Sequence, residues 1–153
     1  MPNRDQILAN IGEALAQING SLRYHTALAS IGTTLATYDE LGASQIPWVG
    51  YWPTEGSPPP VGYPFGDEMH VLEVQLLGVV SATVDTRSAR LAELETDIRT
   101  ALYADRSRGG WAIDTQVASA PVTDEGNADK GGMNANRATL GLTVRCTFFP
   151  DDP

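Results

Sequence analysis

The stretch Met69-His-Val-Leu-Glu-Val-Gln-Leu-Leu-Gly-Val-Val80 decides the fold. Aliphatic and β-branched residues crowd this run and leave few polar positions, which is typical of a strand that is buried over much of both its faces. At about a dozen residues it is longer than a usual strand of about five or six. We therefore predict a long central strand, and the neighbouring segments are interpreted around it.

The segment before this strand supplies a predicted partner. Ile46-Pro-Trp-Val-Gly-Tyr-Trp52 is aromatic and β-branched with alternation, and Pro47 places it at a strand start or an edge. Residues 53–66 hold five prolines and three glycines in fourteen positions, a composition that permits neither helix nor ladder. We interpret them as a loop between two partner strands. The run from Gly32 to Tyr38 could form a further short strand.

Two helices are predicted from their apolar periodicity. The first opens the chain, with Asn3 or Asp5 as its N-cap and Asn19-Gly20 as its stop. The second runs from Asp85 or Thr86 to about Ala104, and Gly109-Gly110 ends its segment. The first helix has the apolar stripe Ile7, Leu8, Ile11, Leu15 and Ile18, and the second has Leu91, Leu94, Ile98, Ala101 and Leu102. The charged residues of the second helix, predicted to lie mostly away from this stripe on the helical wheel, are Arg87, Arg90, Glu93, Glu95, Asp97 and Arg99.

Two strands close the chain, at about 112–123 and 137–149. Apolar and polar residues alternate in the second of them, and the two should form an antiparallel hairpin. The polar, glycine-rich loop at 124–136 between them is predicted to be mobile in a free subunit and to become ordered on assembly. Strands joined by hairpins, with helices set apart, predict a single α+β domain over 1–153, with a mostly antiparallel sheet packed by two main helices.

Composition limits the possible functions. The chain has 153 residues and a formal net charge of -9, which argues against a surface that binds nucleic acid through clustered Lys and Arg. No Lys or Arg occurs between Arg23 and Arg87, which serves either solubility or a face that repels phosphate. Asp5 and Glu13 interrupt any secretory signal, and no run reaches the roughly 18 apolar residues of a membrane helix. The acidic residues of the stretch without basic side chains are Asp39, Glu40, Glu55, Asp67, Glu68, Glu73 and Asp85.

Residues with catalytic or metal-binding potential form no recognisable motif, so we expect no enzyme, no metal and no cofactor. Cys146 is the only cysteine and lies in a strand-like run, where a core position is expected. His25 and His70 are isolated from each other. The loop at 124–136 matches neither a phosphate loop, because Lys130 precedes the glycines, nor a calcium loop.

Candidate interface residues come from two segments. Five aromatic residues surround the proline-rich loop, where they either pack the sheet edge or form a contact surface of the kind in which Trp and Tyr are enriched. They are Trp48, Tyr51, Trp52, Tyr63 and Phe65. The glycine-rich loop adds Asn127, Asp129, Lys130 and Met133.

The order and spacing of these elements resemble a known family. An amphipathic helix precedes Ile46-Pro-Trp-Val49, the long strand 69–80 follows, and the next helix spaces Leu91, Leu94, Ile98 and Leu102 before Ala101-Leu-Tyr-Ala-Asp105 and a final hairpin. This arrangement, over about residues 3–149, is similar to the tail terminator and minor tail proteins of siphophages, typified by the lambda terminator.

The resemblance implies a structural role without catalytic residues. Members of this family form a hexameric ring on the finished tail tube, stop its growth and offer a surface to the head. The implied partners are further copies of the chain, the major tail tube protein and the head-tail connector or head-closure protein, with DNA passing through the lumen without specific binding and no membrane involved. The implied location is the head-proximal end of the virion tail, after assembly in the host cytoplasm.

Two alternatives stay open. One is a head-closure or other neck protein of the same particle, since such proteins have similar size and composition. The other is a host module that binds a small molecule, with Trp48 and Trp52 lining a concave site.

Overall fold

The structure is a computed structural model that describes residues 2–20, 24–33, 42–54, 70–83, 85–120 and 137–148. The proline-rich loop and the loop at 124–136, with the predictions made for them, lie outside these ranges. A short 3-10 helix lies at Ala43–Gln45. The main elements, in chain order, are α1 (Pro2–Leu15), β1 (Ser30–Gly32), β2 (Trp48–Pro53), β3 (His70–Ser81), α2 (Arg87–Tyr103), β4 (Asp114–Ala120) and β5 (Arg137–Phe148).

The five strands form one sheet in the order β1-β2-β3-β5-β4. All neighbours are antiparallel except β1 and β2, which run parallel. Both predicted pairings, β2 with β3 and β4 with β5, are confirmed, and the two helices beside a mostly antiparallel sheet confirm the α+β class. Pro47 precedes the first residue of β2, as a residue without an N–H donor should.

The centre of the sheet is the long pair of β3 and β5. Their register runs from His70 opposite Phe148 to Ser81 opposite Arg137, so both strands are paired along their whole length. Because strand side chains alternate between faces, Leu72, Val74 and Leu76 point to the same side. On β5, the residues opposite them are Cys146, Val144 and Leu142. This side is buried, and the predicted core position of Cys146 is confirmed.

Both helices pack on this buried face. Ile7, Ile11 and Leu15 of α1 have no exposed surface, and α2 contributes a matching stripe. Complete burial of such side chains stabilises the fold by roughly 1.5–3 kcal/mol each. Gly78 lets α2 approach β3, because a Cβ at this position would lie 2.5 Å from Cδ2 of Leu94. The buried apolar residues of α2 are Leu94, Ile98, Ala101 and Leu102.

The helix ends differ in detail from the sequence predictions. Because α1 already begins at Pro2, Asn3 and Asp5 lie inside its first turn and not at the N-cap position. The positive end of the helix dipole stabilises the negative charge of Asp5 in this turn. Thr86 is the N-cap residue of α2, as predicted, but its hydroxyl makes no capping bond and instead accepts the N–H of Thr83 at 2.9 Å.

The short strand predicted from Gly32 to Tyr38 is described only at its first two residues. Strand β1 covers Ser30–Gly32 and pairs with Trp48–Gly50, and Thr33 already lies in a bend. The remaining residues of that prediction lie outside the described ranges. Within the described residues, pairing with β2 therefore places Gly32 at the end of the strand.

One charged residue of α2 departs from the predicted pattern. Asp97, predicted with the other charged residues to lie mostly away from the apolar stripe, is 0% exposed and lies among that stripe. Its carboxylate accepts the backbone N–H of His25 at 3.0 Å and of Thr26 at 2.7 Å. A buried carboxylate needs such donors to offset its lost hydration. The side chain therefore ties the segment after α1 to α2.

Candidate interface

The three predicted interface aromatics of β2 divide between the two faces of the sheet. Tyr51 faces the helices, where a methyl group on Gly12 of α1 would overlap its hydroxyl. Trp48 and Trp52 point to the opposite face, because they alternate with Tyr51 along the strand. The other predicted interface residues, Tyr63, Phe65, Asn127, Asp129, Lys130 and Met133, lie outside the described residues. A single aromatic cluster of Trp48, Tyr51 and Trp52 therefore does not form.

Trp48 is a packing residue of a sheet corner. Its indole lies over two glycines, Gly32 on β1 and Gly50 on β2 itself. A Cβ on Gly32 would come within 2.8 Å of the ring, and a Cβ on Gly50 would overlap it. With Ile46 and Val79 it forms a small apolar cluster and is only 4% exposed. A side chain this buried offers little surface to a partner or a small ligand. Trp52, further along the strand, is half-buried.

The sheet face opposite the helices is polar near its centre. The Arg145 Nε lies 3.1 Å from Glu73 Oε2, and the Thr143 hydroxyl donates to Gln75 Oε1 at 3.3 Å. These pairs bridge β3 and β5. Neither α1 nor α2 covers this face. Arg145 partly neutralises Glu73, one of the acidic residues in the stretch without basic side chains.

The turn after α2 is built around Asp105. Its carboxylate accepts the hydroxyl of Ser107 at 2.6 Å, the N–H of Ser107 at 3.0 Å and the N–H of Gly109 at 2.8 Å. The bonds from the Ser107 hydroxyl and the Gly109 N–H lower the pKa of Asp105. Three donors on one carboxylate fix the path of the turn. The positive φ values of Arg108, Gly109 and Gly110 complete it, and the two glycines adopt them at little cost.

Arg108 joins this turn to the end of α2. Its Nη2 donates to the carbonyls of Leu102 and Asp105, so a cation sits on the C-terminal carbonyls of the helix. The side chain is 1% exposed, and burial lowers its pKa. Within the described residues its Nε and Nη1 have no hydrogen-bond partner. Arg108 thus holds the turn against the core.

Two large apolar side chains are exposed directly after this turn. Trp111 is 42% exposed and Ile113 is 48% exposed, while Ala112 between them is buried. The backbone of these residues is held by two hydrogen bonds. The Ala112 N–H donates to the backbone carbonyl of Ser107 at 2.8 Å, and the Ile113 N–H donates to the backbone carbonyl of Thr147 at 2.7 Å. The sequence prediction missed this pair. The available signal was a tryptophan directly after Gly109-Gly110, because segments that connect helices and strands run over the protein surface.

Several clefts are lined by described residues. One, of about 480 Å³, lies between the end of β3 and the start of α2 and is lined mainly by small and hydroxyl side chains, with Arg90 and Glu93. Neither Trp48 nor Trp52 lines it. Among the described residues, no group of three potential metal ligands converges. No helix in the same ranges is long and apolar enough to cross a membrane.

Neither the models of known protein families nor the curated protein sequences give a match to this chain.

Proposed function

We propose that this chain is a structural subunit of a ring at the head-proximal end of a long-tailed phage tail. The ring ends growth of the tail tube and joins the tail to the head connector. The order of elements that carries the resemblance to tail terminators supports this proposal, together with the α+β fold. In this role the chain acts by contacts and needs no reacting group.

The observation that carries an assembly role is the exposed pair Trp111 and Ile113. Large apolar side chains cost free energy in water, and Trp is enriched at the centres of protein contacts. The Asp105 turn holds both on a fixed backbone, so little conformational entropy is lost when a partner covers them. We assign this patch, the Trp111–Ile113 patch, to the contact between neighbouring copies in the ring.

The charge distribution fits a passage for DNA. A wall rich in Lys or Arg would hold the phosphates of a duplex, since such contacts dominate its binding. In the proposed ring the lumen is therefore poor in basic side chains. Arg145 pairs with Glu73, so the sheet face opposite the helices is not simply acidic. Asp85, by contrast, is exposed just before α2.

The direct test uses tail tubes. Purified chain is added to a polymerising major tail tube protein from the same genome, and tube ends are imaged by negative-stain electron microscopy. We expect rings at one end of the tubes and arrest of their growth. Native mass spectrometry of the capped tubes should release a hexamer. Tubes that keep growing and carry no ring at either end would refute the proposal, and rings on DNA-filled heads instead would identify a neck protein.

A further inference from the structure

The outer edge of β4 is occupied by side chains of α2. Among the described strands, β4 pairs only with β5. The N–H of Val117, in the middle of β4, donates to the Tyr103 hydroxyl at 2.9 Å. Its carbonyl accepts from Arg99 Nη1, also at 2.9 Å. Both backbone groups of Val117 therefore point away from β5 and are already bonded. We call Arg99 and Tyr103 the edge latch.

Further contacts hold the latch in place. Arg99 Nε lies 3.1 Å from Glu95 Oε2, one turn earlier on α2. The guanidinium of Arg106 stacks 4.6 Å from the centre of the Tyr103 ring and pairs with the Asp114 carboxylate at 2.7 and 3.2 Å. Glu95 thus holds Arg99, and Arg106 holds Tyr103, in the positions from which they reach Val117.

Backbone groups of other β4 residues also point away from β5, because their direction alternates along an antiparallel strand. Outward-pointing residues recur every second position, so Thr115 and Ser119 face the same way as Val117. The outer edge is consequently closed by side chains at Val117, in the middle of the strand, with Thr115 and Ser119 on either side of it.

An open edge strand pairs readily with another chain, and proteins deter this with proline, lysine or a covering element. The β4 sequence Asp114-Thr-Gln-Val-Ala-Ser-Ala120 contains neither proline nor lysine. The edge latch is therefore the deterrent that the described structure provides. Its charged member, Arg99, belongs to α2 and not to the strand itself.

We propose that the edge latch prevents β4 from pairing with the β4 edge of a second copy, and thereby keeps free subunits from joining sheet to sheet. The second copy is the fitting occupant, because two identical seven-residue edges can pair antiparallel about a two-fold axis. Such a dimer would be a side product in any assembly that uses another surface. The inference does not depend on the proposed function, since it concerns the isolated chain.

The test removes the latch and measures self-association by sedimentation velocity. The double variant Arg99→Met and Tyr103→Phe keeps the apolar volume of both side chains but loses both bonds to Val117. We expect dimerisation at least about tenfold tighter than in the unchanged chain. The matched control is Glu73→Gln with Arg145→Met, which removes a polar pair from the sheet face and should leave self-association unchanged.

A third variant separates edge pairing from general loss of structure. Ser119→Pro removes an outward N–H of β4 where an edge strand tolerates proline. Added to the latch-free variant, it should return self-association to the starting level. Unchanged association without the latch, or an increase that Ser119→Pro does not reverse, would overturn the proposal. If the double variant does not fold, Tyr103→Phe alone decides by the same measurement, because only one hydroxyl is lost.

Discussion

The carboxylate of Asp97, on α2, accepts the backbone N–H of Thr26 at 2.7 Å across 71 residues of sequence. It also accepts the N–H of His25, so one buried side chain satisfies two donors of a segment that has little regular structure of its own. A carboxylate can accept several bonds at once, which an apolar residue on this stripe could not.

Replacing Asp97 should therefore destabilise the fold strongly. Asp97→Ala leaves two N–H groups without their acceptor, and we expect a loss of about 3 kcal/mol in the free energy of unfolding, since bonds to charged groups contribute about 1.5–3 kcal/mol each. Asp97→Asn keeps one acceptor oxygen and should lose less. Urea denaturation followed by circular dichroism measures both.

The matched control for this prediction is Asp85→Asn, an acidic residue exposed just before α2. Its effect should stay within about 0.5 kcal/mol. Equal effects of the changes at Asp97 and Asp85 would show that the two backbone bonds do not contribute as argued.

Asp97 also marks the limit of prediction from this sequence. Apolar periodicity placed the long strands and both helices, because burial of a stripe or a face is a local property of the sequence. The periodicity cannot distinguish a solvent-facing carboxylate from a buried one whose donors come from residues 25 and 26. That information depends on how distant segments meet.

The candidate interface was predicted less well for the same reason. Trp48 and Tyr51 are three residues apart, but alternation along β2 sends them to opposite faces. Trp111 was overlooked because its exposure depends on the Asp105 turn beneath it. Composition identifies residues that favour interfaces, whereas the fold decides which of them are accessible.

Trp48 and Gly50 should show coupled effects on stability. Gly50→Ala places a methyl group into the Trp48 ring, and such overpacking costs about 1–3 kcal/mol. In a Trp48→Leu background the space is free, and Gly50→Ala should cost much less. A double-mutant cycle by urea denaturation gives the coupling, and simple additivity of the two changes would contradict the packing described here.

The Asp105 turn should make stability depend on pH. Hydrogen bonds from Ser107 and Gly109 lower the pKa of Asp105 below its ordinary 3.8, so its contribution is present above that value and is lost as the pH falls through the folded pKa. Asp105→Asn should therefore destabilise the protein at pH 6, and its difference from the unchanged chain should shrink below about pH 4. Thermal melts of both chains across this range test it. A difference that is constant with pH would contradict this role of the carboxylate.

The Trp111–Ile113 patch should matter for assembly much more than for folding. Both side chains are close to half exposed, so Trp111→Ser and Ile113→Ser should each change the free energy of unfolding by no more than about 1 kcal/mol. At the centre of a contact, the same truncations typically cost 2 kcal/mol or more, which corresponds to a loss of affinity of more than about tenfold. We expect the double variant to melt cooperatively as a folded subunit but to fail to form rings on tail tubes, as measured by native mass spectrometry and electron microscopy.

Ala118→Ser, at an exposed position on β4, is the control and should assemble normally. Normal rings from the folded double variant would exclude this patch from the subunit contact, because a covered tryptophan cannot be exchanged for serine without weakening the contact that covers it.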